Sequence, residues 1–459
     1  MTTVTTTHPT IPVAQGSFLL GNIPAIRHDP LQATYDIWRQ YGDLVKVATL
    51  QRKLYLVSHP DMIAPIFVEG KKTFLKPTAD TGGVNLELLL GNGLVTNPDY
   101  DNWLTQRRMI QPMFHRQRIA QMGDQMTAAA ADMLARWEAK YKHGDVMDLD
   151  LEMTAVTLDI INRTMFSTNG ADKIAGRVGT AVGIATKFVS ERGQRIFPLP
   201  LHWPTPANRK FHRVNAEIDQ IINNLITQRR KTNEKKGDLL DMLLAARDEE
   251  TGQGMSEQQL RDEVKTVFAA GHETTSNALT WAWYLLAQHP DIAKRLQEEV
   301  DDVLNGRMPT IADLPKLTYT RQVFDETLRI YTPVPIIPRY LPEEAPLLDY
   351  ILPADSTIII SVYNIHRHPA FWEDPETFNP DRFAPDQSPH QHKYAYMPFG
   401  AGPRQCIGNH FALTEGTLLL AAMASRYNLR LVPGHPIKPH VTVTMRPKYG
   451  LKMIVEPRG

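Results

Sequence analysis

The only cysteine of the chain, Cys406, lies in a loop whose residues favour a reactive thiolate. Glycines at positions 400, 402 and 408 surround it and leave the backbone free to adopt unusual conformations. A helical pattern begins directly after the loop, so the sulfur would lie at a helix N-terminus, where the dipole stabilises negative charge. Phe399 can shield the sulfur from water, and Arg404 adds a nearby cation. A lone cysteine is usually a small buried hydrophobe, but this loop predicts a thiolate that holds a soft metal such as iron.

A second candidate is the centre of the longest helical pattern. Ser256 begins a capping-box pattern and no proline follows until Pro290, which predicts one helix of ~33 residues, roughly 50 Å long. Its centre reads A-G-H-E-T-T and places Glu273 beside Thr274. A central glycine costs about 1 kcal/mol relative to alanine, and an acid is costly in an apolar crossing helix. A tolerated kink is the simpler interpretation, but the cluster favours a chemical role. His272 is expected on the helix surface.

Two further pairs have helical spacing. Glu326 and Arg329 are three residues apart, and Trp103 and Arg107 are four apart, so the members of each pair share a helix face. Each pattern is also common on ordinary amphipathic helices. Taken alone, both pairs predict packing or ion pairing.

Composition narrows the function classes. The 459 residues contain 50 Lys+Arg and 50 Asp+Glu, and this zero net charge argues against a general nucleic-acid binder. One cysteine allows no intrachain disulfide. The N-terminus lacks the pattern of a signal peptide, and no apolar run is long enough to span a bilayer. We therefore expect a cytoplasmic protein without a membrane anchor.

The remaining patterns predict a mainly α protein with a smaller β lobe, an α+β fold. Residues 43–57 predict a hairpin, 99–330 are mostly helical, 356–363 predict a strand, and 428–455 alternate like paired strands. We expect residues 1–42 to form an N-terminal arm and first helix. Residues 43–459 are expected to form a single domain with interleaved α-rich and β-rich lobes.

The cysteine loop resembles the heme-ligand loop of the cytochrome P450 family, F-x-x-G-x-R-x-C-x-G, at every fixed position. Other segments resemble family motifs in the same order: W-x-x-x-R at Trp103, the oxygen-groove motif at Glu273, E-x-x-R at Glu326, and the arginine segment at Arg382. The resemblance runs from about residue 43 to 455. It implies the cytochrome P450 fold, with heme between the long central helix and the cysteine-loop helix.

The resemblance also implies residue roles. Cys406 would be the axial ligand to the iron of heme b, iron protoporphyrin IX. Glu273 and Thr274 would be catalytic, with Thr274 bonding to the oxygen ligand and Glu273 delivering protons. The residues expected to bind heme are Trp103, Arg107, Arg339, Phe399 and Arg404. The residues expected to form a structural charge cluster are Glu326, Arg329 and Arg382. His366 is expected to be structural.

The activity implied is that of a heme-thiolate monooxygenase. It would insert one oxygen atom from dioxygen into a hydrophobic organic substrate, by hydroxylation or epoxidation, with two electrons from a separate redox partner. The alternatives are a peroxide-using heme-thiolate peroxygenase or isomerase, and a heme sensor or electron carrier. Glu273 with Thr274 favours the oxygenase, because peroxide-using members often lack that pair.

Substrate and partner are less sharply indicated. Apolar residues predict a fatty acid, terpenoid or similar substrate, although Arg52 and Lys53 could hold a carboxylate. The expected pocket residues are Leu86, Leu90, Phe268, Ala269, Val334, Ile336, Ile337 and Met445. No G-x-G-x-x-G dinucleotide fingerprint is present, so we expect a separate ferredoxin or flavodoxin with its reductase. The basic residues expected to dock it are Arg108, Arg116 and Arg118.

Overall fold

The structure, a computed structural model, describes residues 8–17, 20–49, 52–81, 84–167, 173–193, 199–232, 234–248, 250–385, 387 and 392–458. Residues 1–7 of the expected N-terminal arm therefore lie outside the described residues. The chain divides into two compact units, each built from separate segments. The first unit comprises Met1–Val84, Val334–Thr377 and Ser388–Cys406, and the second comprises Asn85–Pro333, Phe378–Gln387 and Ile407–Gly459.

Helices make up most of the second unit. In chain order the helices of the described residues are α1 (Ile23–His28), α2 (Pro30–Tyr41), α3 (Glu87–Leu90), α4 (Tyr100–Ile110), α5 (Arg116–Gln121), α6 (Gly123–Lys140), α7 (Leu149–Phe166), α8 (Lys173–Gly193), α9 (Pro206–Thr232), α10 (Leu239–Ala245), α11 (Glu257–Gln288), α12 (Pro290–Leu304), α13 (Thr318–Ile330), α14 (Val362–Ile365) and α15 (Asn409–Ala424).

The strands are short and most belong to two sheets. In chain order they are β1 (Val13–Ala14), β2 (Leu44–Val47), β3 (Lys53–Val57), β4 (Val146–Asp148), β5 (Ile336–Leu341), β6 (Ala345–Leu347), β7 (Tyr350–Leu352), β8 (Ser356–Ser361), β9 (Tyr427–Leu431), β10 (Pro439–Val441), β11 (Met445–Pro447) and β12 (Lys452–Pro457). The first unit holds the sheet β1-β2-β3-β8-β5 and the pair β6-β7; the second holds β4-β12-β9 and the pair β10-β11.

The sheet of the first unit confirms the predicted N-terminal hairpin. β2 and β3 pair antiparallel, with Leu44 opposite Val57, and β3 continues in parallel to β8. The alternating residues of these strands put Tyr55, Val57, Ile358 and Ile360 into one apolar core, each no more than 4% exposed. β8 ends at Ser361, earlier than the predicted residue 363, because the Ser361 side chain accepts a hydrogen bond from the Asn364 N–H and starts α14.

The predicted long helix is confirmed as α11, which has 32 residues. The Ser256 side chain accepts a hydrogen bond from the Gln259 N–H, as the capping pattern predicts, and the helix ends before Pro290. α11 packs on α7, α13 and α15, so it lies at the centre of the second unit. Among its described residues, the helical region 99–330 contains one short strand, β4, which pairs with β12.

Candidate functional site

The cysteine loop of the first unit has the tight backbone that its glycines predict. The Cys406 N–H donates to the Phe399 carbonyl oxygen at 2.9 Å, which folds the loop back beneath the cysteine. Gly402 has a φ of +69° and packs so closely that an added Cβ would lie 2.4 Å from the Phe67 carbonyl oxygen. A larger residue at this position would therefore displace the loop. The Cys406 side chain is exposed, so its thiol is accessible to a metal ion.

Two predicted heme-binding arginines bring positive charge to the same unit. Arg339, on β5, is 6% exposed, donates to the Pro338 carbonyl oxygen at 2.8 Å and lies 4.4 Å from the Phe67 ring centroid. Burial, together with the positive charge of Arg404, lowers the pKa of Arg339 to about 9. A ligand carboxylate would relieve this cost. One exposed thiol with two cations is thus a donor set that fits a thiolate-bound, dianionic porphyrin.

Glu273 and Thr274, at the centre of α11, form hydrogen bonds with different partners. Thr274 Oγ1 donates along the helix to the Ala270 carbonyl oxygen at 3.0 Å. Glu273 Oε1 accepts a 2.7 Å hydrogen bond from Thr444 Oγ1, in the turn between β10 and β11. Sequence reasoning missed Thr444, because nothing local in that turn distinguishes it from other threonines. The acid and the alcohol are adjacent in sequence, yet each is fixed separately.

Gly271 serves the packing of α11 on α7. An added Cβ would lie 2.6 Å from Ile161 Cδ1, so a larger residue would require the Ile161 side chain to shift. The structure thus shows a packing role for Gly271, while the chemical role predicted for Glu273 and Thr274 stays a prediction.

The prediction for His272 is wrong. Its side chain is 4% exposed rather than on the helix surface, because α7 covers that face of α11. His272 Nδ1 bonds to the Phe268 carbonyl oxygen at 2.6 Å, and the His272 carbonyl oxygen accepts from Thr157 Oγ1 at 3.1 Å. Burial lowers the pKa of His272, so it is a neutral core residue.

Trp103 and Arg107 share a face of α4, as their spacing predicts. The Trp103 side chain is buried, and the Arg107 guanidinium carbon lies 5.6 Å from its ring centroid. Trp103 Nε1 donates to the Leu94 carbonyl oxygen at 3.1 Å. The Leu94 N–H in turn donates to Glu263 at 3.1 Å, which ties the loop before α4 to α11. The role of Trp103 and Arg107 in binding heme stays a prediction.

The charge cluster predicted on α13 has the geometry of a structural element. Arg329 donates to both Glu326 carboxylate oxygens at 2.7 Å, and neither side chain is exposed. The Asn379 N–H adds a hydrogen bond of 3.0 Å to Glu326, and Arg382 Nε lies 3.4 Å from Glu326 Oε1. A buried carboxylate with this many partners is stable only while all of them remain.

The expected pocket residues are mostly buried or half-buried. Phe268 stacks on Phe166 with ring centroids 4.2 Å apart and planes nearly parallel, so it has a packing role of its own. Met445, at the start of β11, is fully buried, and its N–H donates to the Pro333 carbonyl oxygen at 2.9 Å. Leu90 is also buried. The remaining members are half-buried: Leu86, Ala269, Val334, Ile336 and Ile337. Their contact with substrate stays a prediction.

Asp43, His59 and His368 of the first unit have the composition of a metal site, with potential ligand atoms within 4.8 Å of one another. However, His59 Nδ1 accepts the Asp61 N–H, and His368 Nδ1 accepts the Ala370 N–H. The proton of each neutral ring therefore lies on Nε2, and His368 Nε2 donates it to Asp43 at 3.1 Å. The rings lack the lone pair that a metal would need.

The basic residues expected to dock a redox partner differ in their contacts. Arg108 Nη1 lies 2.5 Å from Glu250 Oε1, so its charge is locally balanced. Arg116 lies beside His410, with Arg116 Nε 3.4 Å from His410 Nε2, and Arg118 donates to Gln121 at 3.1 Å. Arg116 and Arg118 are both exposed and offer positive charge to solvent.

Within the described residues, no helix is both long enough and apolar enough to cross a membrane.

Comparisons with known proteins match almost the whole chain. A sequence profile of the family described as Cytochrome P450 matches residues 11–454. Cyclooctatin synthase from Streptomyces melanosporofaciens is 37% identical over 97% of this chain and 95% of its own length. Cyclooctat-9-en-7-ol 5-monooxygenase from the same organism is 36% identical over 91% and 88%. Pentalenene oxygenase from Streptomyces avermitilis is 34% identical over 88% of each chain.

The fold has a solved counterpart. A structure described as the crystal structure of cytochrome P450DA heme domain superposes with a TM-score of 0.89 over 98% of each chain, at 26% identity.

Proposed function

The chain belongs to the cytochrome P450 family, and on that premise we propose that it hydroxylates or epoxidises a cyclic terpenoid, using heme b and a separate electron-donor protein. The predicted family, the α+β cytochrome P450 fold and the monooxygenase class are confirmed. The observation that carries the proposal is the exposed Cys406 thiol in a loop whose unit also holds the two cations Arg339 and Arg404.

Cys406 would bind the heme iron as a thiolate. Phe399, whose carbonyl oxygen already fixes the Cys406 backbone, would shield the sulfur, and Arg339 and Arg404 would bind the propionates. Arg107 would add a further cation, and Trp103 Nε1 would add a donor by exchanging its hydrogen bond to the Leu94 carbonyl oxygen. When bound, a thiolate-ligated heme supplies the reduction of dioxygen and the transfer of one oxygen atom to carbon.

The protons that the reaction consumes would be handled by Glu273 and Thr274. Thr274 Oγ1 needs to exchange only one intrahelical hydrogen bond, to Ala270, in order to donate elsewhere. The Glu273 carboxylate, held by Thr444, would receive protons and return them to the site.

A terpenoid substrate is supported by two observations. The names of the three relatives include cyclooctatin, cyclooctat-9-en-7-ol and pentalenene. The expected pocket residues of this chain are apolar side chains, so a hydrocarbon ring system would be recognised mainly by shape and burial. Leu86, Ala269 and Ile337 are half-buried and are the positions at which we expect ring size to be selected.

The experiment is a spectral titration of the ferric protein with cyclic terpenoid hydrocarbons and, as a matched panel, fatty acids of similar carbon number. We expect at least one cyclic terpenoid to induce a Soret shift, and we expect the fatty acids to induce a smaller shift. Tight binding confined to fatty acids would contradict the substrate class. Product carrying one oxygen atom from labelled dioxygen completes the test of the reaction.

The electron donor is proposed to be an acidic ferredoxin or flavodoxin that docks on Arg116 and Arg118. Both side chains are exposed, whereas Arg108 is balanced by Glu250. Reversing both charges should slow stopped-flow reduction by a surrogate donor, and raised salt should have the same effect on the wild type. Arg108→Glu is the matched variant, and we expect it to slow reduction less. Rapid reduction by NADPH alone would contradict a separate donor.

A further inference from the structure

The Glu273 carboxylate is held by the turn between β10 and β11 through a directed hydrogen-bond chain. Asn277 Nδ2 donates to Thr444 Oγ1 at 3.1 Å, and Thr444 Oγ1 donates to Glu273 Oε1 at 2.7 Å. Thr444 and Asn277 are 5% and 2% exposed, so water does not compete for these bonds. An amide N–H can only donate, and the threonine hydroxyl must therefore turn its own proton towards Glu273. The chain fixes both the place of the carboxylate and its role as acceptor.

We propose that Thr444 is a positioning residue that fixes the Glu273 carboxylate as a hydrogen-bond acceptor on α11. The proposal rests on the proposed function, since the monooxygenase reaction is what consumes the protons that this carboxylate would handle.

The test separates the positioning role of Thr444 from a role in packing the β10–β11 hairpin. Thr444→Val keeps the shape of the side chain and removes its hydroxyl. We expect normal heme content and thermal stability, but about a tenfold loss of product per NADPH, because a hydrogen bond to a charged group is lost. Thr444→Ser should restore the yield.

The matched control is Thr280→Val. Thr280 is also fully buried, and its hydroxyl donates only within α11, to the Ser276 carbonyl oxygen at 2.8 Å. We expect this variant to couple NADPH to product as the wild type does. Equal yields in Thr444→Val and Thr280→Val would overturn the positioning role.

A protein that lacks a thiolate-type spectrum with carbon monoxide would contradict the proposed function. If the spectrum is present and Thr444→Val keeps the wild-type yield, only the positioning role of Thr444 fails.

Discussion

Glu326 and Arg329 in the second unit bury opposite charges against each other, whereas Arg339 and Arg404 in the first unit bring like charges together. The first pair is fully buried, with two 2.7 Å hydrogen bonds, and its carboxylate has further partners in Asn379 and Arg382. In the second pair, burial and the repulsion from Arg404 lower the pKa of Arg339 to about 9. Charges balanced within the chain stabilise its fold, and we propose that the charges of one sign prepare a place for an anionic ligand.

Breaking the balanced pair should have the largest effect. Glu326→Gln leaves Arg329 as a buried cation without its carboxylate, at a cost of about 3–5 kcal/mol in the free energy of unfolding. Urea unfolding measures this cost. Glu298→Gln, which removes an exposed carboxylate 3.7 Å from Lys294, is the control and should change little. Equal unfolding midpoints for the two variants would show that the cluster is not structural.

Glu263 is a buried acid held by the Leu94 N–H rather than by a cation. Its ionised form should therefore destabilise the fold, whereas the ionised form of Glu326 stabilises it. Burial raises the pKa of Glu263 from 4.5 to about 8, against the hydrogen bond from the Leu94 N–H. Between these values the folded chain keeps a proton that the unfolded chain releases. Stability should therefore fall as pH rises from about 5 to 8, by up to about 1.4 kcal/mol per pH unit.

The Glu263→Gln variant tests this slope. Glutamine cannot ionise, so we expect a flatter dependence of the unfolding free energy on pH, while the exposed variant Glu257→Gln should keep the wild-type slope. Identical slopes in all three proteins would contradict a raised pKa at Glu263.

Removing one of the like charges should weaken ligand binding and spare the fold. Arg339→Leu should lower heme affinity at least about tenfold, since a charge-assisted hydrogen bond contributes about 1.5–3 kcal/mol. The heme-free protein should not lose stability. The control is Arg367→Leu, at a buried arginine that pairs with Glu376 at 3.1 Å. This variant should lose stability and keep its heme affinity. Heme transfer to apomyoglobin gives the affinity, and unchanged transfer from Arg339→Leu would refute the role.

The smallest effect is expected at Thr274, for which we propose a catalytic role. Thr274→Ala should retain heme and substrate and divert reducing equivalents to hydrogen peroxide, with ~1–3 kcal/mol of hydrogen-bond support lost. The ratio of product to NADPH consumed measures it, with Thr280→Ala as the control on the same helix. A wild-type ratio in Thr274→Ala would show that this hydroxyl does not handle protons.

Much of this arrangement could be predicted because the signals are local in sequence. The caps of α11, the i, i+3 pair on α13 and the glycines around Cys406 each act within a few residues, so spacing alone predicts them. The hairpin of β2 and β3 follows from alternation in the same way.

What the sequence did not predict depends on long-range contacts. His272 is buried because α7 covers it, and no pattern near His272 indicates which helix lies there. Thr444 bonds to Glu273 across 171 positions of sequence, and Glu263 bonds to Leu94 across 169. A single threonine or glutamate acquires such a role only when distant elements meet.

The thiolate assignment is tested most directly by the ferrous–carbon monoxide spectrum of Cys406→Ser beside that of the wild type. The wild type should show the red-shifted Soret band of a thiolate-ligated heme, and the variant should lose it. The same red-shifted band in Cys406→Ser would contradict Cys406 as the iron ligand.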